Sequence, residues 1–292
     1  MPLATLDKSI VSWATQGVLQ NLDPKNWKFH RFGLPPARWE SLKGKSFWIT
    51  GAGTGYGRAL AMSLASAEAQ IFLTGRRLSM LENSLEEIRS FDIPVKNCHI
   101  IPADLNDPEQ ILQACLQVKR NSRSLYGLIN NAAIACERLP DPFQRYSLEK
   151  WDEMFRVNLT APWLLTREIF PHMAKGNALR VLFMTSEAGW ASTSGFGPYN
   201  TSKAALNNLT ASLAQEYSNS YPKLDLQMNA LVPGEARTEM NPYSEQSPYS
   251  VVSMALILLS HPTGGPNGKF FHRDGRHLEF AYATPYAKHL LG

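Results

Sequence analysis

Residues 46–57 read SFWITGAGTGYG. The run Ser46 to Thr50 has the length and apolarity of a short buried strand. Gly51, Gly53, Gly55 and Gly57 then break it. Glycine lets a backbone turn sharply and approach a ligand closely. A helix is predicted from about Gly57 to Ser66, and its first turn offers free N–H groups and a positive dipole end, a ready anion site. A pyrophosphate fits that description. The strict Gly-x-Gly-x-x-Gly pattern is not met, because Tyr56 stands at its third glycine; what matches is Thr-Gly-x-x-x-Gly-x-Gly from Thr50 to Gly57. The glycine loop follows a strand and opens a helix, which is the context a dinucleotide-binding motif requires.

Downstream, strands and helices alternate. Strands are predicted at Gln70–Thr74, His99–Ala103, Leu125–Asn130, Leu179–Thr185, Leu226–Val232 and Lys269–His272. Helices are predicted at Ser79–Arg89, Pro108–Lys119, from Ser147 towards Met173 with a bend near Pro162, from Tyr199 to about Tyr217, and at Val251–Leu259. Such alternation means βαβ units and a parallel sheet. Right-handed crossovers make it a doubly wound, Rossmann-like α/β sheet of about seven strands with helices on both faces. Ligands then bind at the carboxyl ends of the strands, near the switch in strand order. Residues 43–292 read as a single Rossmann-type catalytic domain. Residues 1–42 read as an N-terminal extension, partly helical, in which Ile10, Val11, Trp13, Ala14, Val18 and Leu19 keep helical spacing before Pro24, Pro35 and Pro36 break it.

About twenty residues past the glycine loop, an NAD site carries an acid for the ribose hydroxyl. Here Gly75-Arg76-Arg77 stands instead. A guanidinium pairs well with a 2′-phosphate, so NADP(H) is favoured over NAD(H).

The chemistry is expected between Met184 and Ala205, MTSEAGWASTSGFGPYNTSKAA. Tyr199 and Lys203 lie one helical turn apart, so both side chains can reach one pocket. A buried tyrosine beside an ammonium is a candidate proton donor and acceptor, since positive charge favours the phenolate over a usual pKa of about 10. Ser186 offers a hydroxyl to hold a reacting oxygen. The pattern alone is weak, because Tyr146 and Lys150 repeat it; Tyr146, with no serine at the same spacing, is read as surface structure.

With these residues in order, the sequence resembles the short-chain dehydrogenase/reductase family in its compact single-domain branch, over about Leu42 to Gly275. Thr50 to Gly57 (Thr50, Gly51, Gly53, Thr54, Gly55, Tyr56, Gly57) is similar to the family's cofactor loop. Asp104, with Leu105 beside it, matches the acid that meets the adenine. Asn130-Asn131-Ala132-Ala133 resembles Asn-Asn-Ala-Gly, with Ala133 in place of the glycine. Asn158 matches the active-site asparagine, Ser186 stands thirteen residues before Tyr199, and Pro233-Gly234-Glu235-Ala236-Arg237-Thr238 fits Pro-Gly-x-x-x-Thr. The resemblance implies hydride transfer between a nicotinamide and a small-molecule carbonyl or alcohol. It assigns Tyr199 as general acid/base, Lys203 to the phenolate and the nicotinamide ribose, Ser186 to the reacting oxygen, Asn158 to a water leading from Lys203, and Pro233 and Thr238 to the nicotinamide amide. It also implies a homodimer or homotetramer. The segment from Glu239 to about Ser250 is short beside the lids of many members, which leaves the usual closed pocket in question.

Glu187, Trp190, Phe196 and Glu235 are candidate substrate contacts, with Glu137 beyond the fourth strand. Together they suit a polyhydroxylated or cationic substrate against an aromatic wall; the competing reading pairs the acids with Arg138 and Arg237. Two further functions remain open. A sugar-nucleotide epimerase or dehydratase shares Tyr-x-x-x-Lys but uses Thr-Gly-x-x-Gly-x-x-Gly, and Thr54 occupies a position where that pattern needs glycine. A non-catalytic dinucleotide sensor or scaffold could also use this fold.

Composition narrows the classes further. With 292 residues, 44% hydrophobic and 18% charged, the chain has material for a sizeable core. A net charge of +4 without blocks of like charge does not argue for nucleic acid. The three cysteines are widely spaced and the seven histidines form no ligand motif, so no metal is implied and a reducing, cytoplasmic setting is expected. No run approaches the ~18 apolar residues of a membrane span, and the N-terminus lacks the pattern of a secretory signal.

Overall fold

The computed structural model describes residues 31–136, 142–191 and 193–278. The helix expected around residues 10–19, and Glu137 and Arg138, lie outside them. Seven strands form one sheet in the order β3-β2-β1-β4-β5-β6-β7: β1 Ser46–Thr50, β2 Gln70–Gly75, β3 Cys98–Pro102, β4 Gly127–Asn130, β5 Ala178–Met184, β6 Asp225–Val232 and β7 Phe270–His272. Every neighbouring pair is parallel.

The strands read as near-continuous apolar runs because helices cover both faces, as parallel sheets require. Alternation within β1 divides the core. Phe47 and Ile49 join one cluster, with Leu60 and Leu64 of α2 (Gly55–Ser66), Leu81 and Ile88 of α3 (Leu78–Ser90), and Leu256 of α8 (Val252–Leu259). Trp48 joins the other, with Ile111 of α4 (Pro108–Asn121), Phe170 of α6 (Ala161–Met173), and Leu206 and Leu213 of α7 (Pro198–Ser220). The indole N–H of Trp48 donates to Thr74 Oγ1 at 2.8 Å, which satisfies its one polar atom inside the core.

The last part of the front section is continuous with this core. Phe32, Leu34, Trp39 and Leu42 are buried in the first cluster. Arg38, in the short helix α1 (Pro36–Glu40), donates to the carbonyls of Ile257 and Ser260, which α8 leaves unpaired at its C-terminal end.

One predicted feature moves. The stretch from Ser147 to Met173 is interrupted at a π-helical turn, Arg156–Thr160, rather than at Pro162. This turn separates α5 (Leu148–Phe155) from α6. Pro162 sits in the first turn of α6, where a missing N–H costs little. Asn158, at the centre of the turn, has its side chain bound to the neighbouring backbone of Ile134 instead of facing solvent. π turns of this kind mark functional sites more often than plain helix does.

The strand order reverses between β1 and β4, so a cleft opens above their carboxyl ends. Register there is tight: Phe47 pairs with Gly127, and a Cβ on Gly127 would stand 2.3 Å from the Phe47 ring. Since Phe47 is fully buried and cannot swing away, Gly127→Ala is expected to cost about 1–3 kcal/mol. Urea denaturation checks this; an unchanged midpoint would contradict the pairing.

Candidate active site

The cofactor end of the cleft is organised by Thr50, the last residue of β1. Its hydroxyl accepts from the backbone N–H of Asn131 and of Ala132, both at 3.0 Å, and donates to Ile129 O at 3.3 Å. Asn131 answers with its side-chain amide, which donates to Thr50 O at 2.9 Å and Gly51 O at 3.3 Å. The glycines are packed against this clasp. Gly51 has φ +65°, and a Cβ there would lie 2.9 Å from Ala132 Cα; a Cβ on Gly57 would lie 2.1 Å from Gly51 O. Arg58 donates to Gly53 O at 3.0 Å and pairs with Glu87 at 3.1 Å, while Ser84 Oγ donates to Ala52 O at 3.0 Å. The loop is therefore fixed in shape from both sides.

These residues fit a dinucleotide. Thr54, the residue before α2, makes no side-chain cap, so the first N–H groups of that helix are left for an anion. Arg76 and Arg77 are exposed at the end of β2. Arg76 makes no ion pair among the described residues, and Arg77 pairs with Glu239 at 2.5 Å. Asp104 follows β3 and accepts from Asn106 N–H at 2.9 Å. Leu105 turns its side chain into the core, so only its backbone is available to a nucleotide. Ala133 follows Ala132 on the half-buried stretch beyond β4.

The chemical end lies above β5 and the start of α7. Tyr199 and Lys203 are buried at 8% and 2% exposure. The Ser186 hydroxyl lies close enough to the phenol of Tyr199 to favour its charged form, and accepts from Ala188 N–H at 3.1 Å. Lys203 Nζ donates to Met184 O at 3.0 Å and stands 5.7 Å from the centre of the Tyr199 ring. Asn158 accepts from Ile134 N–H and donates to Ile134 O, both at 2.9 Å, and donates to Ser202 Oγ at 3.1 Å. It ties the π turn to the β4 segment and to α7.

Charge and burial oppose each other here. The sequence suggested that the ammonium lowers the phenol. In the structure burial dominates and pushes Tyr199 up to about 12; the Ser186 hydroxyl pulls the other way, and the Cys136 thiol adds to the rise. Burial alone pulls Lys203 down to about 8. Near neutral pH the pair is thus a neutral phenol beside an ammonium.

The substrate side has two walls. One is apolar: Ile134, Ala135, Cys136, Tyr146 and Phe196 pack around Tyr199, Met154 and Ala188. Tyr146 is half-buried in this wall, not surface structure, because it packs against the cluster of Met154, Ala188 and Tyr199. Cys136 Sγ donates to Phe196 O at 3.0 Å, and the rings of Phe196 and Tyr199 lie 6.3 Å apart. The other wall is polar. Glu187 Oε1 meets His272 Nε2 at 3.1 Å, and His272 Nδ1 meets Asp274 Oδ1 at 2.9 Å. Tyr56 sends its hydroxyl to Gly234 O at 2.6 Å, and its surroundings include Arg273, Tyr199, Glu235 and Glu187. Burial raises that phenol strongly. Glu235 is exposed and makes no ion pair among the described residues. Arg237 donates to Ser244 O at 3.1 Å rather than to either acid. Trp190 stands at the rim, 52% exposed.

Sequence reasoning missed His272, Arg273 and the role of Tyr146. Arg273 packs on Gly234 and donates to Glu235 O at 2.9 Å, Ser250 Oγ at 2.8 Å and Gln246 Oε1 at 2.8 Å, so one guanidinium holds the whole segment after β6. Only the position of His272-Arg273-Asp274-Gly275 just beyond a strand end hinted at this.

The family model for short chain dehydrogenase matches residues 45–248. The chain is a short-chain dehydrogenase/reductase. It is 32% identical over 250 residues to the 3-oxoacyl-[acyl-carrier-protein] reductase FabG of Aquifex aeolicus, covering 80% of this chain and 97% of that one. A solved protein of Pseudomonas syringae assigned as a short chain dehydrogenase superposes with a TM-score of 0.73 at 27% identity, covering 80% of this chain and 96% of that one. A protein of Beutenbergia cavernae assigned as an NAD(P)-dependent gluconate 5-dehydrogenase, solved with NADP at low occupancy, superposes with a TM-score of 0.69 at 26% identity, covering 81% and 97%. This short-chain dehydrogenase/reductase is thus an oxidoreductase of Rossmann-like fold. No helix among its described residues is long and apolar enough to cross a membrane, and no metal-ligating cluster is found among them.

A pH dependence follows from Lys203. The ammonium is present below its value of about 8 and is lost as pH rises through it, while Tyr199 stays protonated until about 12. The rate of carbonyl reduction by this oxidoreductase is expected to fall above pH 8, and Lys203→Arg, which stays charged, is expected to remove that limb from whatever activity remains. A wild-type rate that climbs steadily from pH 8 to pH 10 would contradict this (pH values chosen to bracket the lysine).

Proposed function

We propose that this enzyme interconverts a carbonyl and an alcohol with NADP(H), using Tyr199 as general acid/base. The observation that carries the reading is the burial of Tyr199 and Lys203 one turn apart on the same helix, with Lys203 Nζ 5.7 Å from the Tyr199 ring centre and the Ser186 hydroxyl beside the phenol. Ser186 holds the reacting oxygen against the phenol, where it shares charge as that charge develops. Tyr199, neutral at physiological pH, donates its proton to the oxygen in reduction and recovers it in oxidation. Lys203 keeps positive charge at the base of the phenol. Asn158 fixes the segment above β4 to α7 and so holds the two walls in register. The bound nicotinamide supplies the hydride. Thr50, Asn131 and the glycines shape its phosphate cradle, and Pro233, Gly234 and Thr238 stand on the nicotinamide side.

The preference for NADP(H) is supported by Arg76 and Arg77 at a position where an acid would serve NAD(H). The three widely spaced cysteines, Cys98, Cys115 and Cys136, accord with a reducing, cytoplasmic setting. The walls favour a small molecule with one apolar face for Phe196 and Tyr146, and with hydroxyl or cationic groups for Glu187 and Glu235. Glu187 is held ready by His272, itself held by Asp274.

Tyr199→Phe tests the assignment. It removes only the hydroxyl, so the far-ultraviolet spectrum and NADPH affinity are expected to match wild type. Turnover on a carbonyl panel is expected to fall by about 100-fold or more, the usual scale of general-acid contributions. Turnover within threefold of wild type would sink the role given to Tyr199.

A further inference from the structure

Glu239 lies just past the Pro-Gly-x-x-x-Thr motif, in the segment that replaces a longer lid. Its Oε2 meets Arg77 Nη2 at 2.5 Å, joining residues 162 positions apart across the cleft. The geometry behind it is built. Thr238 N donates to Asn241 O and Asn241 N donates to Thr238 O, both at 3.1 Å, and Asn241 N also reaches Thr238 Oγ1 at 3.1 Å. This tight turn carries Glu239 next to its first residue and aims it at the end of β2. Thr238 itself rests on Gly55, where an added Cβ would lie 2.9 Å from Thr238 Cγ2. Gly55 opens α2, the helix whose first N–H groups have no side-chain cap. The far side of the segment is anchored: Arg237 N donates to Gln246 O at 2.8 Å, and Arg273 grips Glu235 O and Gln246.

We propose that Glu239 is a latch residue that sets cofactor affinity: with Arg77 it fastens the Thr238–Asn241 turn across the glycine loop, and a 2′-phosphate releases the latch by taking Arg77. The inference rests on the NADP(H) reading of this same cleft. The two anions compete for one guanidinium. Glu239 and Arg77 are 53% and 56% exposed, and exposed ion pairs are weak enough to exchange. A phosphate makes stronger, bidentate, charge-assisted bonds to arginine. A carboxylate and a phosphate dianion repel one another at this range, so they do not share Arg77. Arg76, without an ion pair among the described residues, is left to receive the phosphate first. A cofactor lacking the 2′-phosphate has nothing to exchange for Glu239 and must displace the turn against the intact pair. The latch thus costs either cofactor the same ion pair, and only a 2′-phosphate recovers that cost, through Arg77.

Isothermal titration of the full chain with NADPH and with NADH measures this without turnover. The proteins are wild type, Glu239→Gln, Arg77→Gln, Arg76→Gln and the double variant Glu239→Gln/Arg77→Gln, with thermal melts confirming that these exposed changes leave the fold intact. Glu239→Gln is expected to tighten NADPH about three- to tenfold. Arg77→Gln is expected to weaken NADPH while tightening NADH, because it removes the phosphate contact and the latch together. In the Arg77→Gln background the gain from Glu239→Gln is expected to vanish, which is the coupling a direct exchange requires. The latch is overturned if Glu239→Gln leaves NADPH affinity within twofold of wild type, or if its gain persists without Arg77. In either case a wild-type preference for NADPH that Arg76→Gln abolishes leaves the cofactor reading standing. Equal wild-type affinity for NADPH and NADH would overturn both.

Discussion

The hydroxyl of Thr50 joins the ends of two adjacent strands at the point where the sheet reverses its order. It accepts from Asn131 and Ala132 at the end of β4 while it closes β1. Asn131 returns two bonds to the carbonyls of Thr50 and Gly51. Without this exchange the half-buried Ala132 N–H would lose its acceptor, a loss that folded chains rarely tolerate. With it, the glycine loop has one shape, α2 begins at a fixed place, and the segment that leads to Ile134 starts from a fixed place. Asn158 then takes hold of Ile134 from the π turn and passes that position on to Ser202 in α7. Tyr199 and Lys203 lie on either side of Ser202. The phosphate cradle and the proton donor are therefore set in one frame by a short series of hydrogen bonds.

Burial gives that frame its chemistry. A phenol pushed up to about 12 and an ammonium pulled down to about 8 are both held in their protonated forms at neutral pH. In the proposed reaction this arrangement presents a proton to a carbonyl oxygen, with the Ser186 hydroxyl beside the phenol. Beside them stand an apolar cluster with Phe196 and Tyr146 and the carboxylate of Glu187, which is tied through His272 to Asp274.

Much of this was legible in the residues. Apolar runs of four to seven residues, alternating with longer helical stretches, pointed to the parallel sheet, and every strand end fell within two residues of that expected. The glycines after Thr50, the arginines after β2, and the Ser186–Tyr199–Lys203 spacing are local patterns, so sequence order carries them. What could not be read were pairings between distant segments. Nothing near Asn158 signals a π turn; it arises because its amide satisfies Ile134, 24 positions away. Tyr146 looked like surface because its cluster draws on the segment after β4, α5, α7 and the loop before α7. His272 meets Glu187 across 85 positions, and Arg77 meets Glu239 across 162. The expected lowering of the Tyr199 phenol also failed, since a spacing of four residues reports proximity to a charge but not depth of burial.

The central claim is that this cleft places a carbonyl between Tyr199 and a nicotinamide. The most direct measurement is isotope transfer: incubate the enzyme with NADPH deuterated at the reactive C4 position and a carbonyl panel, then examine the alcohol by mass spectrometry. The account predicts one deuterium on the former carbonyl carbon, with none delivered from deuterated water to that carbon. Product lacking the label, or labelled there from solvent, would contradict it.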